Sequence, residues 1–370
     1  MDENRLAFLA LHFIPGIGNN LIKQLISYTG SAEAIFKTPK GKLLKIPGIG
    51  EVTAESIIRQ KPLLQAEKEF SLADKQQVQI HFYTDKSFPS RLKQLPDAPT
   101  LLYSKGKINF ETNKTVAIIG TRKATAYGKE MVELLIKDLV KHDPLIVSGL
   151  AYGIDIHAHK KALQYELNTI AIMGSGIDII YPAVHKDTVN KMLDHGGIVT
   201  ENHFGTAPDA HRFPERNRII AGLADAVIVI EAAAKGGALI TADIANSYNK
   251  DVFAIPGNIG QPTSEGCNKL IKTNQAHLIN SVADLEYIMG WDKISNSKTK
   301  KQTLIEISSF SEDEQLIIKA MIDLNKSVQI DELSWRVQVP VHQLAGILLN
   351  LEFKGAVQSL PGKQYKLSHS

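Results

Sequence analysis

One cysteine among 370 residues, Cys267, leaves the chain no internal disulfide and no cysteine-based zinc knot. No apolar run approaches the roughly 20 residues that a membrane-spanning helix needs. The opening MDENRLAFLALHFIPGIG puts acids ahead of a short apolar stretch. That reverses the charge order of a secretory signal peptide, and the cytoplasm is the expected compartment. Charge of one sign is also scarce, with a formal net charge of only +3. A nucleic-acid role must therefore come from local clustering of basic groups, not from a whole-protein field. What is present is ordinary for a globular chain: 44% hydrophobic and 22% charged residues, in a length that suggests two or three domains.

The texture changes twice along the chain. Residues 1–75 read as short helices broken by Pro-Gly turns, and one signal occurs twice: Ile14-Pro15-Gly16-Ile17-Gly18 and Ile46-Pro47-Gly48-Ile49-Gly50. Leu21, Leu25 and Ile26 follow the first copy, and Ala54, Ile57 and Ile58 the second, at spacings that give each exit helix a buried stripe. The pattern is that of a helix-hairpin-helix module, whose exposed amides can hold a phosphate. Lys40, Lys42 and Lys45 lie beside the second copy. A packing or protein-binding role fits this module equally well.

Residues 76–290 alternate apolar strand-like runs with helical stretches. Strands are expected at 78–83, 116–119, 145–147, 169–173, 198–200, 226–230 and 252–255. Continuous apolar runs suit parallel strands covered on both faces, joined by right-handed crossovers. The fold class is α/β, an extended Rossmann-like and mostly parallel sheet. Residues 291–310 read as a linker, with the polar run Ser295-Asn296-Ser297-Lys298-Thr299-Lys300-Lys301. Residues 311–370 read helix, helix, helix, hairpin, the order of a winged-helix domain, with Gly355 and Pro361-Gly362-Lys363 as turn signals. The third helix, expected at about Pro340–Leu351, is almost free of arginine and lysine, so strong duplex binding through it is not expected.

In an open parallel sheet, ligands bind at the carboxyl ends of the strands. Gly120-Thr121-Arg122-Lys123 follows the run 116–119 and offers backbone amides plus a permanently charged, planar guanidinium suited to phosphate. It is neither a G-x-G-x-x-G nor a Walker loop, so the dinucleotide signal is weak and the Mg-ATP signal absent. Gly149 and Gly153 shape the next turn, where Asp155 is read as a helix cap. His157 and His159 stand two apart and cannot chelate from one helix face; no metal is assigned. Gly174 and Gly176 supply further backbone donors. Asp178 is read as holding Tyr181 or a loop amide, and Tyr181 as a stacking face or a structural turn.

The most informative run is Arg212-Phe213-Pro214-Glu215-Arg216-Asn217-Arg218. Arg216 and Arg218 cannot share a direction on a helix, so one is expected at phosphate and the other bracing the sheet edge. Phe213 is expected in the loop before that helix, placed to stack on a base. Basic groups beside an exposed ring make a platform for single strands. Lys235, Gly236 and Gly237 close the site. Glu201 and Glu231 are expected to orient arginines, because charges buried near a cleft need partners. Cys267 is read as a small buried residue. No catalytic residue and no cofactor is assigned.

Taken in order, these segments resemble the DprA/Smf family of bacterial DNA-processing proteins over nearly the whole chain. The likeness rests on Gly120-Thr121-Arg122 with Tyr127-Gly128, Ser148-Gly149-Leu150-Ala151 with Gly153-Ile154-Asp155, and Gly176-Ile177-Asp178 with Tyr181-Pro182. It continues through Phe213-Pro214 with Arg216-Asn217-Arg218, Gly236-Gly237-Ala238-Leu239-Ile240-Thr241, and Gly266-Cys267-Asn268. The resemblance implies a non-enzymatic mediator that binds single-stranded DNA in natural transformation, protects it, and assists loading of the RecA recombinase. It also implies a homodimer, and single-strand-binding protein as a further partner. It assigns the single-strand pocket to Arg122 and to Phe213, Arg216 and Arg218. Some members carry a lysine three positions before the phenylalanine; here that position is Ala210, and Arg212 is the candidate replacement. The alternatives are an enzyme acting on a nucleotide derivative, like the phosphoribohydrolases, and a protein-interaction scaffold. The first would want a Pro-Gly-Gly-x-Gly-Thr-x-x-Glu loop, and Lys235-Gly236-Gly237-Ala238-Leu239-Ile240-Thr241 lacks that ending.

Overall fold

Strands of four to six residues account for most of the larger sheet: β1 Gln79–Phe82, β2 Leu101–Gly106, β3 Thr115–Ile119, β4 Leu145–Ser148, β5 Thr169–Ile172, β6 Gly196–Thr200, β7 Ala226–Val229 and β8 Asp251–Ala254, with a two-residue β9, His277–Leu278. This computed structural model describes residues 2–59, 61–291, 310–324, 328–360 and 364–367. The polar run 295–301 and the Pro361-Gly362-Lys363 turn lie outside them. Strand order is β1-β2-β6-β5-β4-β3-β7-β8-β9. From β6 to β9 every neighbouring pair is parallel, while β1 and β2 add an antiparallel edge. The seven expected strands all form, and the mostly parallel α/β sheet is as expected. β2 and β9 escape a reading by apolar runs: Leu101–Gly106 ends in Ser-Lys-Gly, and β9 is two exposed residues.

The central strands are buried along their whole length, which explains their mostly apolar composition, rich in Val, Ile and Ala. Successive residues point to opposite faces. Ile170, Ile172 and Val199 meet Ile219, Ile220 and Leu223 of the helix Arg212–Leu223 on one face. Ala171 and Ile198 belong to the core on the other face, which also contains Phe8, Leu9 and Leu25 of the N-terminal helices. The rings of Phe8 and Phe82 lie 4.9 Å apart in that core. Each ring of this kind contributes on the order of 2–3 kcal/mol by burial. At the same seam the buried Tyr103 hydroxyl donates to Glu69 Oε1 at 2.8 Å, which also accepts the Phe204 amide at 2.9 Å. The helices and the sheet therefore share one core, and residues 1–289 form a single compact unit.

In the N-terminal helices, Gly16 and Gly48 occupy the left-handed region, φ +83° and +86°, at the two Pro-Gly turns. The stripes Leu25 and Ala54/Ile57 are buried as expected, but Ile58 is 46% exposed. Lys40 is committed to Glu51 and Glu55, at 2.6 and 3.1 Å.

The second unit, residues 290–370, packs helices Glu312–Leu324, Ile330–Val337 and Val341–Phe353 on a three-stranded sheet. Its strands Val328–Gln329, Gln364–Leu367 and Val357–Leu360 run in that spatial order. Ile317, Leu333, Leu344 and Leu348 form its core. This is the expected winged-helix arrangement. Among the described residues, no helix is long and apolar enough to cross a membrane.

Buried histidines give the first unit a pH response. Burial, followed by the charge of His203, lowers the His12 pKa to about 3, and burial lowers that of His159 to about 4. Unfolding frees both to protonate near pH 6.5. The unfolded chain thus binds more protons below that pH, and stability falls with acidification. Asp155, raised to about 6 by burial, acts in the opposite sense between about 6 and 3.8 and offsets only part of this. The denaturation midpoint is expected to be lower at pH 5 than at pH 7, and His12→Gln should flatten that pH dependence whatever it does to absolute stability. Equal slopes in the two proteins would contradict this account.

Candidate nucleic-acid interface

The chain builds β3, β4, β5 and β6 outward on one side, then returns to place β7 on the other side of β3. The loops leaving β3 and β7 therefore diverge, and a crevice opens at their carboxyl ends. A cavity of about 770 Å³ lies there. Gly120, Thr121, Arg122 and Lys123 line it after β3, and Lys235, Gly236 and Gly237 after β7. Phe213, Arg216 and Asn217 complete it from the helix Arg212–Leu223. Four basic side chains thus face one acid, Asp155, in the lining. The helix Gly237–Ser247 begins at this mouth with Gly236 as its N-cap and no side-chain cap bond. Its first-turn amides add positive potential there.

Glu231 shapes the β3 loop from beneath. Its carboxylate accepts the Thr125 amide at 2.9 Å and the Thr125 hydroxyl at 2.6 Å, and its carbonyl accepts the Thr121 amide at 2.8 Å. Gly153, at φ +79°, allows the β4 turn to approach from the other side; a Cβ there would lie 2.2 Å from the Thr121 carbonyl. Held between these two supports, Arg122 and Lys123 project into solvent. The Arg122 guanidinium lies 5.7 Å from the centre of the Phe213 ring, within cation–π range. Tyr181, 48% exposed, sets its ring 5.9 Å from Phe213. A smaller cavity of about 60 Å³ lies against Arg122, Tyr152, Tyr181 and Phe213. A cation beside two neighbouring rings is what a phosphate-bearing, base-bearing ligand requires.

Several expected roles differ from the observed ones. Phe213 is the second residue of its helix, not part of a preceding loop. Arg216 is buried: its Nη1 donates to the Ile172 carbonyl, and its Nε has no hydrogen-bond partner among the described residues. It answers Asp155, whose carboxyl burial raises while Arg216 pulls it down. Gly149 leaves room for both, since a Cβ there would sit 2.4 Å from Asp155 Oδ2 and 2.6 Å from the guanidinium. Asp155 is therefore not a helix cap; the N-cap position of Ile154–Gln164 is Gly153. Arg218 is turned away and paired with Glu201, so of the two arginines it is the brace. Glu201 orients an arginine as expected; Glu231 instead holds loop amides.

Arg212 donates to the Ala207 carbonyl at 2.9 Å and pins its own loop. The Gly176 amide is spent on the Thr206 carbonyl at 2.8 Å, and Gly174 serves as the floor under Phe213. The Gly176 amide is therefore not a free phosphate donor. Asp178 accepts the Gly205 amide at 3.0 Å, the loop-holding role expected of it. His159 bridges Thr169 Oγ1 and the Gly149 carbonyl at 2.7 and 2.6 Å, and no metal-holding group occurs among the described residues. Cys267 is buried, which pushes its thiol up to about 12. The sequence reading missed Tyr152, which lies between Gly149 and Gly153, and Lys129 and Lys160, which lie on the helices that follow the β3 and β4 loops.

The family model for DNA recombination-mediator protein A matches residues 79–289. The chain belongs to the DprA/Smf family of DNA-processing proteins. Models for a SAM-like helix-hairpin-helix tandem and a DprA winged helix domain match residues 8–60 and 307–363. Protein Smf of Synechocystis is 36% identical over 295 residues, 78% of this chain and 73% of that protein. The solved DprA of Streptococcus pneumoniae superposes with a TM-score of 0.67 at 33% identity, covering 77% of this chain and 97% of that one. The DprA of Helicobacter pylori, whose structure addresses its single-stranded DNA binding mode, gives 0.53 at 31% identity over 58% and 97%.

The buried Glu231 is testable. Glu231→Gln keeps the shape but removes a charge-assisted acceptor, and should cost about 1–3 kcal/mol in unfolding free energy. Hydrogen exchange in residues 120–128 should accelerate. Wild-type stability and unchanged exchange would show that the carboxylate does not hold the loop.

Proposed function

We propose that the crevice between the β3 and β7 loops binds single-stranded DNA without reading its sequence, and that the protein is a recombination mediator. The observation that carries this reading is the meeting of Arg122 with Phe213 at the mouth of an open, basic cavity. Arg122, Lys123 and Lys235 meet phosphates, while Phe213 and Tyr181 receive base faces. Glycine amides at 236–237 and the helix start behind them add donors. Arg216 acts from below, as the buried charge that fixes Asp155 and the cavity floor, and Asn217 ties the floor to the Gly237 carbonyl at 3.4 Å. Arg218 is assigned to the fold.

The family supports the wider role: a cytoplasmic mediator that protects incoming DNA in natural transformation and assists RecA loading, with single-strand-binding protein as the species it displaces. A homodimer would carry two such crevices, and two moderate sites on one strand raise avidity strongly when their spacing fits.

Arg122→Ala should weaken binding to all single-stranded sequences alike and lower the log–log salt slope by about 0.7. Phe213→Ala should cost about 1–3 kcal/mol with nearly the wild-type slope. Because the two groups touch, their effects should be less than additive in a double-mutant cycle. Fluorescence anisotropy with labelled oligothymidine across a salt series measures all three. Wild-type affinity in folded Arg122→Ala protein would overturn the assignment.

A further inference from the structure

A second basic cavity, of about 320 Å³, lies on the far side of the β3 loop from the crevice. Arg122 and Lys123 line both cavities, so the β3 loop borders each of them. Beyond them the lining adds Lys129, Tyr152, His157 and Lys160. Lys129 comes from the helix Ala126–Leu139, and His157 and Lys160 from Ile154–Gln164. Two helices that pack against each other thus turn lysines toward one space.

Three properties set this cavity apart from an ordinary solvated face. First, no carboxylate lines it. Among the described residues, Lys123, Lys129 and Lys160 form no ion pair, although neighbouring Lys161 is tied to Glu133 at 2.7 Å. Lysines that line one cavity without carboxylate partners repel one another, and a polyanion relieves that repulsion. Second, His157 Nε2 is buried without a hydrogen-bond partner among the described residues. Burial lowers its pKa and the charge of Lys161 adds to that, while a hydrogen bond to the Lys129 backbone works in the opposite sense. Third, Tyr152 is 52% exposed at the junction, its ring 5.1 Å from that of His185. It lines both this cavity and the small one beneath Arg122.

We infer that this cavity is a distal phosphate subsite: a polynucleotide seated in the crevice continues over the Arg122 loop, past Tyr152, and sets its following phosphates between Lys129 and Lys160. The inference rests on the single-strand reading above. It makes the bound strand longer than the crevice alone accommodates. It also gives Arg122 two neighbours on the strand, one on each side of the loop.

The test is the length dependence of binding. Oligothymidines from about four to about sixteen nucleotides are titrated into wild-type protein and the Lys129→Ala/Lys160→Ala double variant. Both lysines are exposed, and denaturation curves confirm that the variant is folded. Two lost phosphate contacts on a single strand should lower the salt slope by about 1.4 and weaken long oligomers roughly ten- to thirtyfold near 0.1 M salt. The shortest oligomers should bind both proteins equally, and Tyr152→Ala should weaken long oligomers while leaving the slope unchanged. Equal affinity of variant and wild type at every length would overturn the subsite and leave the crevice assignment standing. Equal losses at every length, the shortest included, would also overturn it, placing the lysines in the crevice. No binding of any oligomer to wild-type protein would overturn both readings.

Discussion

Glu231 is 2% exposed, and its carboxylate takes both the amide and the hydroxyl of Thr125 while its carbonyl takes the Thr121 amide. These bonds tie the end of β7 to the loop leaving β3, the two strands between which the chain reverses its direction of building. A carboxylate buried this deeply persists only with such partners. The loop it holds is the one that presents Arg122 and Lys123. Gly128 is small for the same reason, since a side chain there would meet the Glu231 carboxylate at 2.2 Å; at Gly120 a side chain would meet Ile154 at 2.5 Å and the Glu231 carbonyl at 3.0 Å. The crevice is therefore a consequence of how two parallel strands are joined, and its cationic rim follows from that joint.

A second buried pair divides the arginines of the helix Arg212–Leu223 by depth. Arg216 points inward to the Ile172 carbonyl and the Asp155 carboxylate, while Arg218 pairs with Glu201 on another side. Removing one partner from either pair is costly, because it leaves a buried charge uncompensated. Exposed, mobile charge at the mouth is left to Arg122, Lys123 and Lys235. Catching a strand of any sequence requires accessible cations and ring faces; holding the crevice open requires buried ones.

Much of this was legible from the residues alone. Mostly apolar runs rich in Val, Ile and Ala marked the central strands because those strands are covered on both faces, and glycine-bearing segments after them marked the mouth. Arg122 and Phe213, 91 positions apart in the sequence, were nominated together and lie together. What was not legible depends on rotation and depth. A run of three arginines does not show which is buried, and only the helix beginning at Arg212 turns Arg216 inward. Asp155 looked like a cap because it opens a helix, yet Gly153 takes the cap position and Asp155 turns to Arg216. Lys129 and Lys160 carry no local signal: they meet only because their two helices pack side by side. β2 was missed because its polar end suits an antiparallel strand near the sheet edge, not a central one.

The central claim is that Arg122 and Phe213 together receive a phosphate and a base of an unpaired strand. A crystal structure with a short oligothymidine tests it most directly. The account predicts a backbone phosphate hydrogen-bonded to the Arg122 guanidinium and a thymine ring stacked on Phe213. A strand bound elsewhere on the protein, with both side chains left in contact with solvent alone, would contradict it.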